Sequence, residues 1–378
     1  MRDFFDSALK TRFLFPIDGD CLDVRDGEAD ADMLLVPVTV TSCAGARVTV
    51  NGTAATETEA GVYRATVRVR AGESTLSARN ESDGSEQAIR VYHFPAAEKK
   101  YRISSDDNIL FLADITKNKD VYTSIFDNPY LAVYKKAHDL YGAKVHLNLF
   151  YAFDRVAAEC FSDERPDFDL SMMTDKFKSE WEANSDWLKL SFHSREENPP
   201  RPYKHATAEK ITADYLELRR EVLRFAGEKA FSSDVTTIHF GEANPACVAA
   251  LYAQGIRALT GYFELDTLGC PLVAYYAPVD LTCHVGERDF WRDTEMDMTY
   301  GRIDRVTNIG PLDKIMSDIE KIVEHPHRGG FVSIMIHEQY FHPDYVNYLP
   351  DFEERVLTPA KYLFEKGYTG ALVKEVIG

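Results

Sequence analysis

The sequence predicts an α/β fold, namely an irregular (β/α) barrel of seven or eight strands preceded by a small all-β sandwich. Two observations favour the barrel. Beyond about residue 100, apolar runs of strand length alternate with helix-like segments, which is typical of a parallel sheet covered by helices. Several of these runs end on a histidine or a carboxylate, and the carboxyl ends of parallel barrel strands share one rim. We therefore expect polar groups from distant segments to meet at that rim.

A change of composition near residue 95 separates the barrel from a first region. No lysine occurs between Lys10 and Lys99, whereas lysine, phenylalanine and tyrosine are frequent beyond them. We assign 1–97 to the sandwich and 98–378 to the barrel. Alternating patterns and turn signals such as Asn51-Gly52 indicate short antiparallel strands in the first region. The predicted strands there are 34–41, 47–50, 63–70 and 88–92.

The elements of the barrel follow from apolar periodicity and from residues typical of helix ends. Asn128-Pro129 begins one predicted helix, Gly142 ends it, and Asn244-Pro245 begins another. No GxGxxG motif follows a predicted strand, which counts against a dinucleotide-binding fold. The predicted strands are 108–114, 143–151, 187–193, 235–240, 256–260, 303–307, 331–337 and 370–376, and the predicted helices are 128–141, 171–183, 207–228, 243–254, 311–324 and 351–367.

Composition narrows the class of protein. The net charge of −18 over 378 residues argues against a nucleic-acid surface, because phosphate binding needs clustered lysine and arginine. The six cysteines form no CxxC pair, so neither a cysteine metal site nor a disulfide framework is indicated. No stretch approaches the roughly 20 apolar residues of a membrane helix, and the N-terminus lacks the apolar core of a signal peptide. A cytoplasmic location without membrane contact is therefore the expectation.

Three residues that follow strand-like runs are candidate metal ligands. His193 ends the run LKLSF, and His205 lies further along the same predicted strand-to-helix loop. Two histidines on one loop can bind one cation through neutral imidazole nitrogens. Asp114 ends the run LFLA, where its carboxylate could bind the cation or accept a proton from water. The acidic pair Asp106-Asp107 precedes the same predicted strand, which would place it at the opposite end, so we leave it out of the site.

A second group of residues is expected to contact substrate or to act as an acid. His337 follows the run SIMI and is a candidate general acid. Glu338 and Tyr340 come directly after it in an aromatic loop that could stack on a sugar ring. His239 ends another predicted strand, and Glu242 lies three residues on, so both are candidate substrate contacts.

Taken in order, these segments resemble the polysaccharide deacetylase superfamily of metal-dependent carbohydrate esterases and amidases. The run LFLAD ending at Asp114 resembles the first motif of that family, His193 with His205 the second, and IMIH ending at His337 the last. The family has a second aspartate in the first motif, whereas Ile115 follows Asp114 here; Glu197 stands where its second histidine is usual. The stretch VTVNGTAATETEAGVYRATVRV resembles the immunoglobulin-like modules attached to carbohydrate-active enzymes.

The resemblance implies a metal-dependent hydrolase that removes an acyl group from a carbohydrate amide or ester. Asp114, His193 and His205 would hold a divalent metal, with zinc expected, while Asp114 or His337 exchanges protons with the reactants. One alternative is a metal-independent glycoside hydrolase that uses Glu242 and Glu338 as its carboxylate pair. Another is a non-catalytic barrel that binds glycans.

Overall fold

Short strands fill the first part of the chain in the computed structural model, which describes residues 10–30, 33–154, 156–165 and 167–378. These strands confirm the four predicted there and add others formed from small and polar residues. They are β1 Arg12–Phe15, β2 Cys21–Leu22, β3 Glu28–Asp30, β4 Met33–Thr41, β5 Val48–Val50, β6 Thr53–Ala54, β7 Thr56–Glu59, β8 Val62–Arg70, β9 Gly72–Asn80 and β10 Glu86–His93.

Two sheets organise this first region. One has the strand order β1-β4-β8-β7, with β3 also paired to β4, and the other has the order β2-β10-β9-β5-β6. Alternate residues of the strands point inward, as Val36, Val38 and Val40 do in β4, and side chains of both sheets form one hydrophobic cluster. The division of the chain at residue 97 and the likeness to an immunoglobulin module stay predictions.

Helices and strands alternate through the rest of the chain. The strands are β11 Lys100–Asn108, β12 Val145–Phe150, β13 Leu188–Ser194, β14 Val235–Thr236, β15 Ala258–Gly261, β16 Glu264–Leu265, β17 Pro271–Leu272, β18 Phe290–Asp293, β19 Met298–Arg302, β20 Arg305–Val306, β21 Phe331–His337 and β22 Thr369–Gly370. The helices are α1 Leu110–Lys117, α2 Pro129–Tyr141, α3 Lys178–Ala183, α4 Ala208–Phe225, α5 Pro245–Ala253, α6 Val279–Gly286, α7 Leu312–Val323, α8 Phe352–Glu365 and α9 Val373–Ile377.

Two main sheets lie among these helices. The larger has the order β13-β12-β11-β21-β20, with β22 beside β11, and its pairings are parallel. The smaller has the order β14-β15-β19-β18, in which only the β18–β19 pairing is antiparallel. The molecule is thus a mixed α/β structure with several sheets. Within the residues described, no continuous ladder closes them into a barrel, and the barrel of seven or eight strands stays a prediction.

Two predicted strands are wrong. The segment 108–114 is not a strand, because β11 ends at Asn108 and the apolar run LFLA begins α1. That run buries Leu110, Phe111 and Leu112, together with Ile115 one turn later, so its residues form the inner face of a helix. The segment 370–376 contains the end of the two-residue strand β22 and most of helix α9.

The other predicted elements of the second region overlap observed ones, although the predicted strands 235–240 and 303–307 are reduced to the two-residue strands β14 and β20. Strand 331–337 is confirmed with the same bounds, and helix 128–141 is observed as α2, which Asn128 caps by accepting a hydrogen bond from the Leu131 N–H. The predicted helix 171–183 is shorter in the structure, as α3. None of the helices in the described ranges is long and apolar enough to cross a membrane.

Candidate metal and catalytic site

Two consecutive carboxylates, Asp106 and Asp107, lie at the carboxyl end of β11. The pairing of β11 with β12 shifts register between Ser105 and Asn108. Asp107 adopts a left-handed backbone with φ of 62°, which costs free energy in a residue with a Cβ and is common at functional sites. The Asn108 side chain stabilises the turn by donating Nδ2 to the Ser105 carbonyl at 2.6 Å. As a result, both carboxylates line one cavity.

Asp107, His193 and His239 form a compact cluster of possible metal ligands. Asp107 Oδ1 lies 3.2 Å from His193 Nε2 and 3.4 Å from His239 Nδ1. The two ring nitrogens, His193 Nε2 and His239 Nδ1, lie 3.1 Å apart. The histidines are 2% and 4% exposed, so little water reaches these three ligand atoms. One carboxylate oxygen and two imidazole nitrogens therefore converge on a single buried point.

Backbone carbonyls fix which nitrogen of each histidine faces the cluster. His193 Nδ1 donates to the Thr237 carbonyl at 2.5 Å, and His239 Nε2 donates to the Glu197 carbonyl at 3.0 Å. In a neutral imidazole the opposite nitrogen then carries a lone pair. Two lone pairs and the Asp107 carboxylate consequently face one another, an arrangement that needs a proton or a cation among them. Hydrogen bonds of this kind behind the ring are typical of metal-binding histidines.

The electrostatics of the cluster favour positive charge within it. Burial alone would raise the pKa of Asp107, but hydrogen bonds with His193 and His239 and the charge of His337 hold it well below its usual value. Burial alone would lower the pKa of His193, but the charges of Asp106 and Asp107 raise it above its usual value. Asp107 is thus ionised at neutral pH, and its charge attracts a proton or a metal ion.

Asp106 belongs to a second, fully buried polar network. Asn148 Nδ2 donates to Asp106 Oδ1 at 2.6 Å, and Asn148 Oδ1 accepts a hydrogen bond from the Ser191 hydroxyl. Arg102 donates Nη2 to Thr260 Oγ1 at 2.9 Å. Burial lowers the pKa of Arg102 to about 10, an effect that the charge of Asp106 opposes. Arg102 is therefore a cation at neutral pH and offsets a buried carboxylate.

His337 lies at the end of β21. His337 Nδ1 donates to Asn308 Oδ1 at 2.9 Å, and His337 Nε2 lies 3.9 Å from Asp107 Oδ2. Gln339 Nε2 donates to the same Asp107 oxygen at 2.9 Å. Asp107 therefore uses Oδ1 toward the two clustered histidines and Oδ2 toward Gln339 and His337.

Two cavities adjoin the cluster. The first, which we call the cluster cavity, has a volume of about 220 Å³, and the second, the apolar cavity, has a volume of about 280 Å³. Asp107 and Glu197 line both. Burial and the charge of Asp107 raise the pKa of Glu197 to about 7. The cluster cavity also contains Asp106, His193, His239, Tyr262 and His337.

The structure brings together some of the predicted site residues and leaves two of the three predicted metal ligands elsewhere. His193, His239 and His337 lie around Asp107. Asp114 lies in α1, where its carboxylate accepts hydrogen bonds from Asn118 Nδ2, the Tyr122 hydroxyl and Asn128 Nδ2 at 2.7 to 2.9 Å. His205 is exposed in the loop before α4 and lies outside the ligand cluster. Asp107 and His239 lie beside His193 in the cluster, where Asp114 and His205 were predicted to lie.

The two predicted glutamates are engaged in structural contacts. Glu338 is fully buried, and its carboxylate accepts hydrogen bonds from the backbone N–H groups at the start of α1. Glu242 forms ion pairs with Arg201 Nε at 3.1 Å and Lys204 Nζ at 2.7 Å. The centre of the Tyr340 ring lies 6.2 Å from that of His337. Among the predicted substrate contacts, His239 is part of the cluster and Tyr340 lies next to it.

Asp106 and Asp107 were missed because 108–114, most of which is helix α1, was predicted as the strand. The acidic pair was therefore placed before the strand, whereas it lies at the end of β11. The signal was present, since an adjacent acidic pair at the end of a segment before a helix is visible in the sequence. Glu197 was noted only as standing where the second histidine of the family is usual. Asn308 and Gln339 were also missed, and no motif marks them. Their contacts with His337 and Asp107 depend on segments that are distant in sequence and close together in the fold.

Comparisons with known proteins find similarity in structure alone. No family model matches the chain, and no curated protein matches it. Similar solved structures include a CE4-family pseudoenzyme from Bacillus anthracis, at 10% identity over 74% of this chain with a TM-score of 0.34. The carbohydrate deacetylase Agd3 matches at 10% identity over 88% of this chain and 69% of its own, with a TM-score of 0.39.

A third similar structure is a family 4 acetyl xylan esterase from Clostridium thermocellum, solved with a cobalt ion. It matches at 10% identity over 74% of this chain and 90% of its own, with a TM-score of 0.35. The present chain spans 66% of the pseudoenzyme's length. At these identities and TM-scores the comparisons assign no activity to the chain.

Proposed function

We propose that the chain is a metal-dependent hydrolase that removes an acyl group from a carbohydrate amide or ester. The observation that carries this proposal is the convergence of Asp107 Oδ1, His193 Nε2 and His239 Nδ1 on one buried point, with the opposite ring nitrogens held by carbonyls. The carbohydrate part rests on the sequence resemblance and on aromatic side chains at the site, such as Tyr340.

A divalent ion is the group that best fits this cluster. Two imidazoles and one carboxylate form a ligand set used for catalytic zinc, and also for other divalent transition metals. We infer that Asp107, His193 and His239 would hold it and that zinc is the ion to test first. When bound, such an ion would polarise the acyl carbonyl and would lower the pKa of a bound water molecule to near neutrality.

Two residues of the chain would move the protons. Asp106 is buried with one oxygen held by Asn148, so its carboxylate is positioned to accept a proton from the attacking water. His337 donates Nδ1 to Asn308, which leaves Nε2 to carry the proton that the leaving nitrogen or oxygen receives. Asp106 takes the role of base expected of Asp114, since the Asp114 carboxylate is engaged with three partners around α1.

Metal binding and acyl release test the proposal together. Chelator-treated protein should bind about one equivalent of Zn²⁺ by calorimetry and release acetate from acetylated sugars or amines from N-acetylated ones. His239→Ala should weaken Zn²⁺ binding at least 100-fold, because it removes one of three protein ligands. His205→Ala is the matched control and should bind Zn²⁺ as the wild type does.

Other outcomes would favour the alternatives. Failure to bind Zn²⁺, Mn²⁺, Co²⁺ or Ni²⁺ would overturn the metal-dependent proposal. Cleavage of a glycosidic bond in the presence of chelator would favour a glycoside hydrolase, although both Glu242 and Glu338 already have structural partners. Glycan binding that persists in His239→Ala without acyl release would favour a non-catalytic scaffold.

A further inference from the structure

The apolar cavity lies beside the cluster cavity and contains neither of the clustered histidines. Its volume of about 280 Å³ is lined mainly by aliphatic and aromatic side chains. Polar groups such as Asp154 and Asn198 occupy only part of its wall, together with Asp107 and Glu197 at the boundary with the cluster cavity. The apolar wall includes Ile109, Leu110, Phe150, Phe153, Phe161 and Tyr345.

Phe150 places this apolar wall directly against the metal-binding histidines. The centre of its ring lies 5.4 Å from that of His193 and 5.0 Å from that of His239. Asp107 contributes to both cavities, so the wall between them is one side chain thick at that point. A substrate bound at the cluster therefore lies beside both cavities.

The position of His337 decides which part of the substrate enters each cavity. His337 lines the cluster cavity and is absent from the wall of the apolar one. If His337 protonates the leaving nitrogen or oxygen, the sugar lies on the side of the cluster cavity. The remaining substituent of the reacting carbonyl, the acyl chain, then points toward the apolar cavity.

The apolar cavity is much larger than an acetyl group requires. A methyl group needs a volume similar to that of one water molecule, about 30 Å³, and an apolar cavity of about 150 Å³ already holds benzene. We propose, on the basis of the proposed function, that the apolar cavity receives the acyl group and selects apolar acyl groups larger than acetyl. Hydrolysis adds the water oxygen to the acyl carbon, breaks the bond to the sugar nitrogen or oxygen, passes one proton to Asp106 and delivers one from His337 to the leaving atom.

A series of acyl groups on one sugar tests this proposal. The substrates are glucosamine N-acylated with acetyl, butanoyl, hexanoyl or benzoyl, and the released amine is measured with the zinc-loaded protein. Each buried methylene is worth a factor of about four, so kcat/KM for the hexanoyl substrate should exceed that for the acetyl substrate at least tenfold. A preference for acetyl would overturn the inference and leave the proposed function standing.

A pair of neighbouring alanines supplies matched variants. Ala157 lines the apolar cavity, whereas Ala158 on the same short helical turn does not. Ala157→Trp reduces the room for the acyl chain and should lower the ratio of hexanoyl to acetyl kcat/KM at least tenfold. Ala158→Trp adds the same side chain outside the cavity and should leave this ratio unchanged. Equal ratios in both variants would contradict the assignment.

Cys160 gives a measurement that does not depend on turnover. Its thiol is free and exposed, and it lines the apolar cavity. Hexanamide should slow alkylation of Cys160 by iodoacetamide at least threefold relative to exposed Cys270, whereas acetamide at the same concentration should not. If none of the acyl sugars is hydrolysed, the proposed function fails on these substrates. Equal alkylation rates with both amides would separately overturn the assignment of the cavity.

Discussion

At the residue scale, hydrogen bonds behind the histidines decide what the cluster can bind. A neutral imidazole has one N–H to donate, and the carbonyls of Thr237 and Glu197 accept it from His193 and His239. The nitrogens that remain face the ionised Asp107, and hydrogen bonds of this kind behind the ring are typical of metal-binding histidines.

Replacement of Asp106 tests the assignment of the base at the same scale. In Asp106→Asn the amide cannot accept a proton, so we expect kcat for acyl release to fall by about 10²- to 10⁴-fold. Zn²⁺ affinity should change less than tenfold, because Asp107, His193 and His239 remain. Rates come from an assay of amine or acetate release, and affinities from calorimetry.

Asp114→Asn is the control for this prediction, because Asp114 was the base predicted from the sequence, whereas the proposed function assigns that role to Asp106. Its carboxylate contacts Asn118 and Tyr122 near α1, so its loss should leave kcat within about threefold of the wild type at a temperature where the protein is folded. Equal losses in the two variants would show that Asp106 has no special role.

The sequence indicated three histidines that the structure brings around Asp107, but it did not indicate the carboxylates beside them. His193, His239 and His337 follow apolar runs, and this pattern indicates a strand end. Asp107 lies near the end of β11, whose buried residues include Ser104, Ser105 and Asp106, and burial of so many polar groups is stabilised only by partners from other strands. Those partners, such as Asn148, are not visible in a single stretch of sequence.

At the scale of elements, helix α1 shows how one strand end positions another. Glu338 follows β21 and accepts hydrogen bonds from Ile109 N at 2.6 Å and Leu110 N at 3.0 Å, and also from Phe111 N. These N–H groups at the start of a helix have no partner within the helix, and a carboxylate there is further stabilised by the helix dipole. Glu338 therefore anchors the start of α1, which directly follows Asp107 and Asn108.

Glu338→Gln tests this structural role. One of its oxygens becomes an NH₂ group that cannot accept a hydrogen bond, so the free energy of unfolding should fall by about 1–3 kcal/mol. Urea denaturation provides the measurement. Glu353→Gln, at an exposed residue of α8 paired with Lys136, is the control and should change it by less than about 0.5 kcal/mol. A large loss of activity at unchanged stability would instead favour a catalytic role for Glu338.

The bounds of elements were predictable where one periodicity dominates. Helix α2 combines a capping asparagine, a proline in its first turn and a left-handed Gly142 at its end, and it was located within one residue. The run LFLA was assigned wrongly, because four apolar residues suit either a strand or the inner face of a helix. The helix forms here because Glu338, more than 200 residues away in sequence, caps it.

At the scale of the whole molecule, buried ion pairs join the first region to the second. Asp20 contacts His284 Nε2 at 2.5 Å and Arg288 Nη2 at 3.4 Å, and Arg288 also pairs with Asp26. Trp291 Nε1 donates to the Asp18 carbonyl at 3.0 Å. The carboxylates come from the loops around β2 and β3 and the cations from the segment around α6, so the stability of the two regions should be linked.

The pH dependence of unfolding tests this link. Burial alone would raise the pKa of Asp20, but the ion pairs with His284 and Arg288 lower it to about 2 from an ordinary value of 3.8. A lowered carboxylate pKa stabilises the fold above the ordinary value, and this contribution is lost as the pH falls toward 2. The gap in unfolding free energy between the wild type and Asp20→Asn should therefore narrow by about 1 kcal/mol between pH 6 and pH 3. Asp120→Asn, at an exposed position, is the control, and its difference from the wild type in unfolding free energy should not narrow in this way. A difference that stays constant with pH in Asp20→Asn would mean that the ion pairs of Asp20 contribute nothing to the link.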